Sequence, residues 1–285
     1  MKNILLPSDF SENALNSILY ALALFRGESC RFILLHSFRV NGYENGSRFS
    51  AIPSAMIFEN RRTMVLSEMN DLMQELRTLH ATEDHKFIAV ASNDPLPEAI
   101  AEQIRKFKVE LVVIGTQGST ASKDAVYGNN TISILEEVRG CPILAVPTEA
   151  GFKKIREIVF PNSFKIIPTK KDMNCILELS KRFAAPVRIL HILENGGLTS
   201  LQEENKRHLQ DLLREIPHSF HVLRHVSVPI GIYSFSASRN SDLIAFVNKK
   251  HSFLQQLLFP PLYKNLGHYS EVPVMVLQTD PNSDK

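Results

Sequence analysis

Ile4-Leu5-Leu6-Pro7 is an unbroken apolar run ended by a proline, the pattern of a strand buried on both faces. After it Ser11 is placed to cap a helix whose apolar positions Ala14, Leu15, Ile18, Leu19 and Leu22 recur at three and four residues, with Gly27 as its stop. Arg31–His36 reads as the next strand, and residues 40–56, rich in Gly, Ser, Asn and Pro, as a long loop placed to act as a lid. A helix is predicted over Phe58–Leu79 and a strand over Lys86–Ala91. Asp94-Pro95 opens another helix with proline where its missing N–H costs nothing. Glu110–Ile114 is a fourth strand that gives way at Gly115 to a loop, a helix follows from about Asn129 to Val138, and Cys141–Pro147 closes the unit. Strands that are nearly all apolar and alternate with helices imply a parallel sheet covered on both faces.

The second half repeats this order. Ile158-Val159-Phe160-Pro161 answers Leu5-Leu6-Pro7, Val187–His191 answers Arg31–His36, Asp242–Phe246 answers Glu110–Ile114, and Val272–Val276 answers Cys141–Val146. Paired positions lie 154 residues apart at the prolines and 155 at the histidines, then 132 at Leu111 and Leu243 and 131 at Pro142 and Pro273. About 23 residues are therefore missing from the second copy where the first carries its long loop. The chain divides into 1–147 and 155–280, joined by the polar connection Thr148–Lys154.

Composition narrows what such a fold does. Thirty-two Lys+Arg against 30 Asp+Glu leave a formal charge of +2, too small for a one-signed field toward nucleic acid or anionic lipid. No apolar stretch approaches the ~20 residues that span a bilayer, and the start of the chain lacks a secretory pattern, so a cytoplasmic location is expected. Cys30, Cys141 and Cys175 are odd in number and far apart, which fits reduced, mostly buried thiols rather than a disulfide framework or a metal site.

Candidate chemistry concentrates after the fourth strand. Ile114-Gly115-Thr116-Gln117-Gly118 is followed, nine residues on, by Gly128-Asn129-Asn130 at a helix start. Glycines let backbone N–H groups approach an anion, and a helix start adds unpaired donors and partial positive charge. The carboxyl end of a parallel strand is also where open α/β sheets take ligands. Asp9 ends the first strand on the same rim, either accepting hydrogen bonds from a base or ribose or serving only the helix start near Ser11. The second copy has Pro161-Asn162-Ser163 in place of Pro7-Ser8-Asp9, no glycine over Phe246–Ser252, and Phe259-Pro260-Pro261 opposite Gly128. It is expected to bind no nucleotide.

The PSDFS run of Pro7–Ser11, the strand ending at His36, the G-x2-G-x9-G loop of Gly115–Gly128 and the terminal Cys-Pro strand ending in Val-Pro together resemble the universal stress protein family. The resemblance covers 1–147 and, as a weaker copy, 155–278. It implies a tandem pair of doubly wound parallel five-stranded sheets of order 3-2-1-4-5, of the adenine-nucleotide-alpha-hydrolase-like kind. It implies homodimers or an intrachain pseudo-dimer paired through the fifth strands, and an unidentified protein partner. In one subclass it implies ATP or another adenine nucleotide, with Mg as a companion, serving a stress response as switch or sensor. By position, Asp9 would meet adenine with Pro7, Ser8 and Ser37 beside it, while Ile114, Gly115, Gln117, Gly118, Gly128, Asn129 and Asn130 would line ribose and phosphates. Asn129 departs from the family's Ser or Thr after the last glycine, although an amide still donates to phosphate. The alternative is an interaction module of the same fold that takes no nucleotide.

No general base stands beside the phosphate loop, so slow ATP hydrolysis is the most that is expected and no catalytic residue is assigned. Walker A, GxGxxG, GxSxG and HExxH motifs are absent. His218, His221 and His225 lie in a segment that alternates like a strand through Val228, with His221 and His225 on one face and no acid or thiol to complete a metal site.

Overall fold

The computed structural model describes residues 1–39, 54–118, 127–193, 196–248 and 271–278. The first half runs β1 (Lys2–Pro7), α1 (Glu12–Leu24), β2 (Cys30–Ser37), α2 (Ser54–Leu79), β3 (His85–Ser92), α3 (Leu96–Phe107), β4 (Leu111–Gly115), α4 (Asn129–Glu137) and β5 (Ile143–Val146). The second runs β6 (Ile158–Pro161), α5 (Lys170–Phe183), β7 (Val187–Leu193), α6 (Ser200–Leu213), β8 (His218–Arg224), α7 (Val228–Arg239), β9 (Leu243–Asn248) and β10 (Val274–Gln278). Each half is a parallel five-stranded unit of order 3-2-1-4-5, as the family resemblance implies. The two halves pair through their fifth strands, as expected of an intrachain pseudo-dimer, and so form one ten-stranded sheet, β3-β2-β1-β4-β5-β10-β9-β6-β7-β8.

The join is the only antiparallel pairing among the described strands, with Val274, Met275 and Val276 opposite Ala145, Leu144 and Ile143. Its cause is legible in the residues. Both terminal strands are apolar on two faces, so each edge needs a backbone partner as well as cover above and below. Alternate side chains feed two cores that run unbroken across the seam. Ile4, Leu6, Leu144, Phe160 and Met275 lie in one, beneath α1, α2, α5 and α6. Leu5, Ile143, Val159 and Val276 lie in the other, with α3, α4 and α7.

Helices reinforce the seam. Phe152, in the connection, lies 5.3 Å edge-on from Tyr20 and 6.4 Å from Phe183. Lys2 bonds Glu178 at 2.8 Å and Glu28 at 3.2 Å, and Arg182 pairs with Glu28. Because these groups are part-exposed, Glu28→Gln is expected to lower stability by less than about 1 kcal/mol. Urea unfolding should show that difference shrinking at high salt; a loss that salt leaves unchanged would assign Glu28 a role other than ion pairing.

Several sequence expectations shift at element ends. The helix expected from Phe58 begins at Ser54, so only 40–53 of the predicted lid falls outside the described residues. Ala14, Ile18 and Leu22 are buried on α1 as expected, but Leu15, placed on the same face, is 37% exposed, and Asn13, Ser17 and Ala21 join the buried face. The strand expected to alternate through Val228 ends at Arg224, where His225 turns out with φ 57°, so His221 and His225 do not share a strand face. Among the described residues no group of three or more His, Cys, Asp or Glu is placed to hold a metal. No described helix is long and apolar enough to cross a membrane. Cys30 and Cys141 are buried and Cys175 is half-buried; burial pushes the thiols of Cys141 and Cys175 up to about 12, leaving both protonated and poor nucleophiles.

The internal repeat extends to three-dimensional detail that strand matching does not reveal. Nδ1 of His36 lies 2.8 Å from the Ser8 carbonyl and its ring packs on Phe10 at 4.8 Å. Nδ1 of His191 lies 2.9 Å from the Asn162 carbonyl and its ring packs on Phe164 at 5.0 Å. Phe10 and Phe164 both sit in the left-handed region, φ 62° and 56°, which bulky L residues seldom adopt. The histidine ring gives each strained phenylalanine a packing partner.

Candidate functional site

The first half's candidate site lies along the carboxyl ends of β2, β1 and β4, with β1 in the middle. Pro7 ends β1, and the turn after it is made by local side-chain bonds. The Ser8 hydroxyl accepts from the Phe10 N–H at 3.1 Å, Asp9 Oδ1 accepts from the Ser11 N–H at 3.1 Å, and Ser11 Oγ caps α1 by accepting from the Ala14 N–H at 3.2 Å. Asp9 therefore serves the helix start with one oxygen. Its other oxygen faces Gly118: a Cβ on that glycine would lie 2.9 Å from Asp9 Oδ2. The carboxylate and the glycine loop, 109 positions apart in sequence, thus stand in contact.

Ile114 is buried and Gly115 is the last residue of β4. Thr116 donates its N–H to the Val146 carbonyl at 3.0 Å and accepts at 2.7 Å from the N–H of Gly128, the N-cap of α4. Thr131 Oγ1 donates to the Gly115 carbonyl at 2.9 Å. These bonds hold the start of α4 beside the loop, so Gly115, Gln117, Gly118, Gly128, Asn129 and Asn130 gather at one place. Gly128 caps α4 with no side-chain bond to its first turn, and Asn129 and Asn130 are exposed there. Ser37 is on the same rim at the end of β2, but its hydroxyl donates to the Asp94 carbonyl at 2.6 Å, so it is committed to the neighbouring turn.

Asn13 was not singled out from sequence. It is buried on α1, where its Oδ1 accepts from the Gln117 N–H at 2.8 Å and its Nδ2 donates to the Val146 carbonyl at 3.3 Å. The available signal was a polar residue adjoining Ala14 on the buried side of a helix, which hydropathy alone scores as surface.

The second half's equivalent rim is tied to its own fold. Asn162 Oδ1 accepts from the Phe164 N–H at 2.7 Å, Gln202 Nε2 donates to the Ser163 carbonyl at 2.9 Å, and Asn205 Nδ2 donates to the Phe164 carbonyl at 2.7 Å. The turn that bears Asp9 in the first half is here bonded to α6, and no carboxylate stands in it. Lys249, Lys250, His251 and Phe259-Pro260-Pro261 lie outside the described residues.

The model of the universal stress protein family matches residues 1–147. Over the whole chain the fold is similar to that of a universal stress protein from Archaeoglobus fulgidus DSM 4304, with TM-score 0.66, 13% identity, and coverage of 99% of this chain and 97% of that one. A functionally unknown protein from Pseudomonas aeruginosa PAO1 gives TM-score 0.60 at 12% identity, covering 98% and 93%. The cytoplasmic domain of a prokaryotic cation chloride cotransporter gives 0.52 at 12%, covering 97% and 95%. At these identities the likeness is one of fold. No similar protein was found among those with curated descriptions.

Proposed function

Because the chain belongs to the universal stress protein family, we propose that residues 1–147 form a domain that takes an adenine nucleotide, ATP first among them, as a switch or sensor. Residues 155–280 form a partner domain of the same fold that takes none. The observation that carries this reading is the contact between Asp9 and Gly118 on a rim that also holds the open N-terminus of α4. An acceptor for base or ribose, a backbone without a Cβ, and a helix start with partial positive charge are three parts of a nucleotide site, and each comes from a different stretch of chain. Asp9 is the sole carboxylate among the proposed site residues, so a Mg ion would be held mainly by the nucleotide's own phosphates and water. Binding is the role assigned; no residue is given a catalytic one.

Calorimetric titration of the full chain with ATP should give one site per chain, and Asp9→Ala should weaken discrimination between ATP and GTP. A stoichiometry of two would overturn the assignment of the second half as non-binding. No heat of binding, with no nucleotide released on denaturing freshly purified protein, would favour the interaction module. That second reading draws on β8, an edge strand half-exposed along its length with Val222 at 51%.

A further inference from the structure

We infer that Asn13 is a positioning residue of the candidate site: its side-chain amide sets the backbone of the Gly115–Gln117 turn, and Gly115 is glycine because of Asn13 rather than because of a phosphate. The part of this inference that concerns ligand rests on the nucleotide reading above.

The amide lies where three elements meet. Asn13 is the second residue of α1 and is 5% exposed. Its Oδ1 holds the Gln117 N–H at 2.8 Å, just before Gly118, and its Nδ2 holds the Val146 carbonyl, which also receives the Thr116 N–H. One short side chain thus bonds the loop after β4 and the end of β5 while standing on the helix that follows Asp9. A Cβ at Gly115 would lie 2.1 Å from Asn13 Oδ1, 2.7 Å from its Cγ and 3.0 Å from its backbone oxygen. The space that a side chain at 115 would occupy is already filled by the amide.

The chemistry selects asparagine. Aspartate keeps the acceptor but loses the donor and adds charge, leucine loses both, and glutamine is one methylene longer in a space with no slack. In the second half the residue at the same distance from its helix N-cap is Lys171, counted from Thr169. It has no amide to serve as such a clamp. The loss of the clamp and the loss of the loop glycines coincide in the same half.

The experiment uses the full chain and the variants Asn13→Ala, Asn13→Asp, Gly115→Ala and Asn13→Ala/Gly115→Ala. In ligand-free protein, NMR hydrogen exchange at the Gln117 amide should quicken about tenfold or more in Asn13→Ala and stay slow in Asn13→Asp, which keeps the acceptor. Melting should show Gly115→Ala destabilised alone and much less so once Asn13 is alanine, a non-additivity expected of two groups competing for one space. By calorimetry Asn13→Ala should bind ATP about tenfold more weakly while adenosine changes less than about twofold, because the turn serves phosphates and not the base. Should Asn13→Ala fail to fold, Asn13→Ser carries the same measurements.

Unchanged Gln117 exchange together with additive melting losses would overturn the positioning role. Equal weakening of ATP and adenosine would reduce Asn13 to a general stabiliser of the domain and overturn the inference. If wild type takes no ATP, the nucleotide reading fails, and the exchange and melting measurements still decide whether Asn13 sets the turn.

Discussion

Replacing Glu157 with leucine should cost the folded protein about 3 kcal/mol at neutral pH, through two arginines left without their carboxylate. Glu157 precedes β6 and receives Arg239 at 2.6 and 2.7 Å, Arg188 at 2.8 Å and the Ser241 hydroxyl at 3.0 Å. Breaking a buried pair typically costs 3–5 kcal/mol. The lower end is expected here because the arginine side chains keep 24% and 32% of their exposure and regain some water. Burial pushes the Glu157 carboxyl up, but the bonds from Arg239, Arg188 and Ser241 outweigh it and hold the group at about 2. The unfolded chain has an ordinary glutamate near 4.3, so the folded state binds the proton less readily. Its stabilisation is complete above about pH 4.5 and is lost as pH falls toward 2. Urea unfolding of wild type and Glu157→Leu should therefore show a gap that is full at pH 7 and closes on acidification. A gap as large at pH 2.5 as at pH 7, or none at pH 7, would remove the ion-pair explanation.

Gly118→Val should lower affinity for ATP more than a hundredfold without loss of fold. The valine would stand against Asp9, where even a Cβ comes within 2.9 Å of Oδ2, and would hold a phosphate off the loop backbone. Two charge-assisted bonds at roughly 1.5–3 kcal/mol each account for that factor. Gly197→Val is the control, since a Cβ there meets nothing within 4 Å and the residue belongs to the other half. Calorimetry should find the control equal to wild type; a Gly118→Val protein within threefold of wild type would show that phosphates do not approach this loop. Both variants change one local feature, so circular dichroism melting separates lost binding from lost fold.

Strands, helices and the internal repeat were legible because they rest on local rules. Ile4-Leu5-Leu6 is apolar at every position since its side chains feed two cores at once, and Ser11 caps α1 through a bond three residues long. His36 and His191 stood at matching places in the two copies for a reason sequence does not state, the phenylalanine each one supports. The clustering of Asp9 with the glycine loop followed from placing both at carboxyl ends of neighbouring parallel strands, and the contact itself came from the tertiary structure. Other features act through long separations and leave no local trace. Asn13 works on residues 104 and 133 positions away, and Glu157 on Arg239, 82 positions away. Leu15 looked buried because its spacing fitted, whereas Asn13 and Ser17 take the inner face of α1 once backbone groups satisfy their polar atoms. Local periodicity thus determined which segments are strand or helix and that the chain is built twice. The apolar terminal strands already pointed to the seam between the copies, but only the three-dimensional fold decided its antiparallel register, which polar groups are buried and paired, and where the glycines find their space, because those depend on partners brought together by packing rather than by sequence.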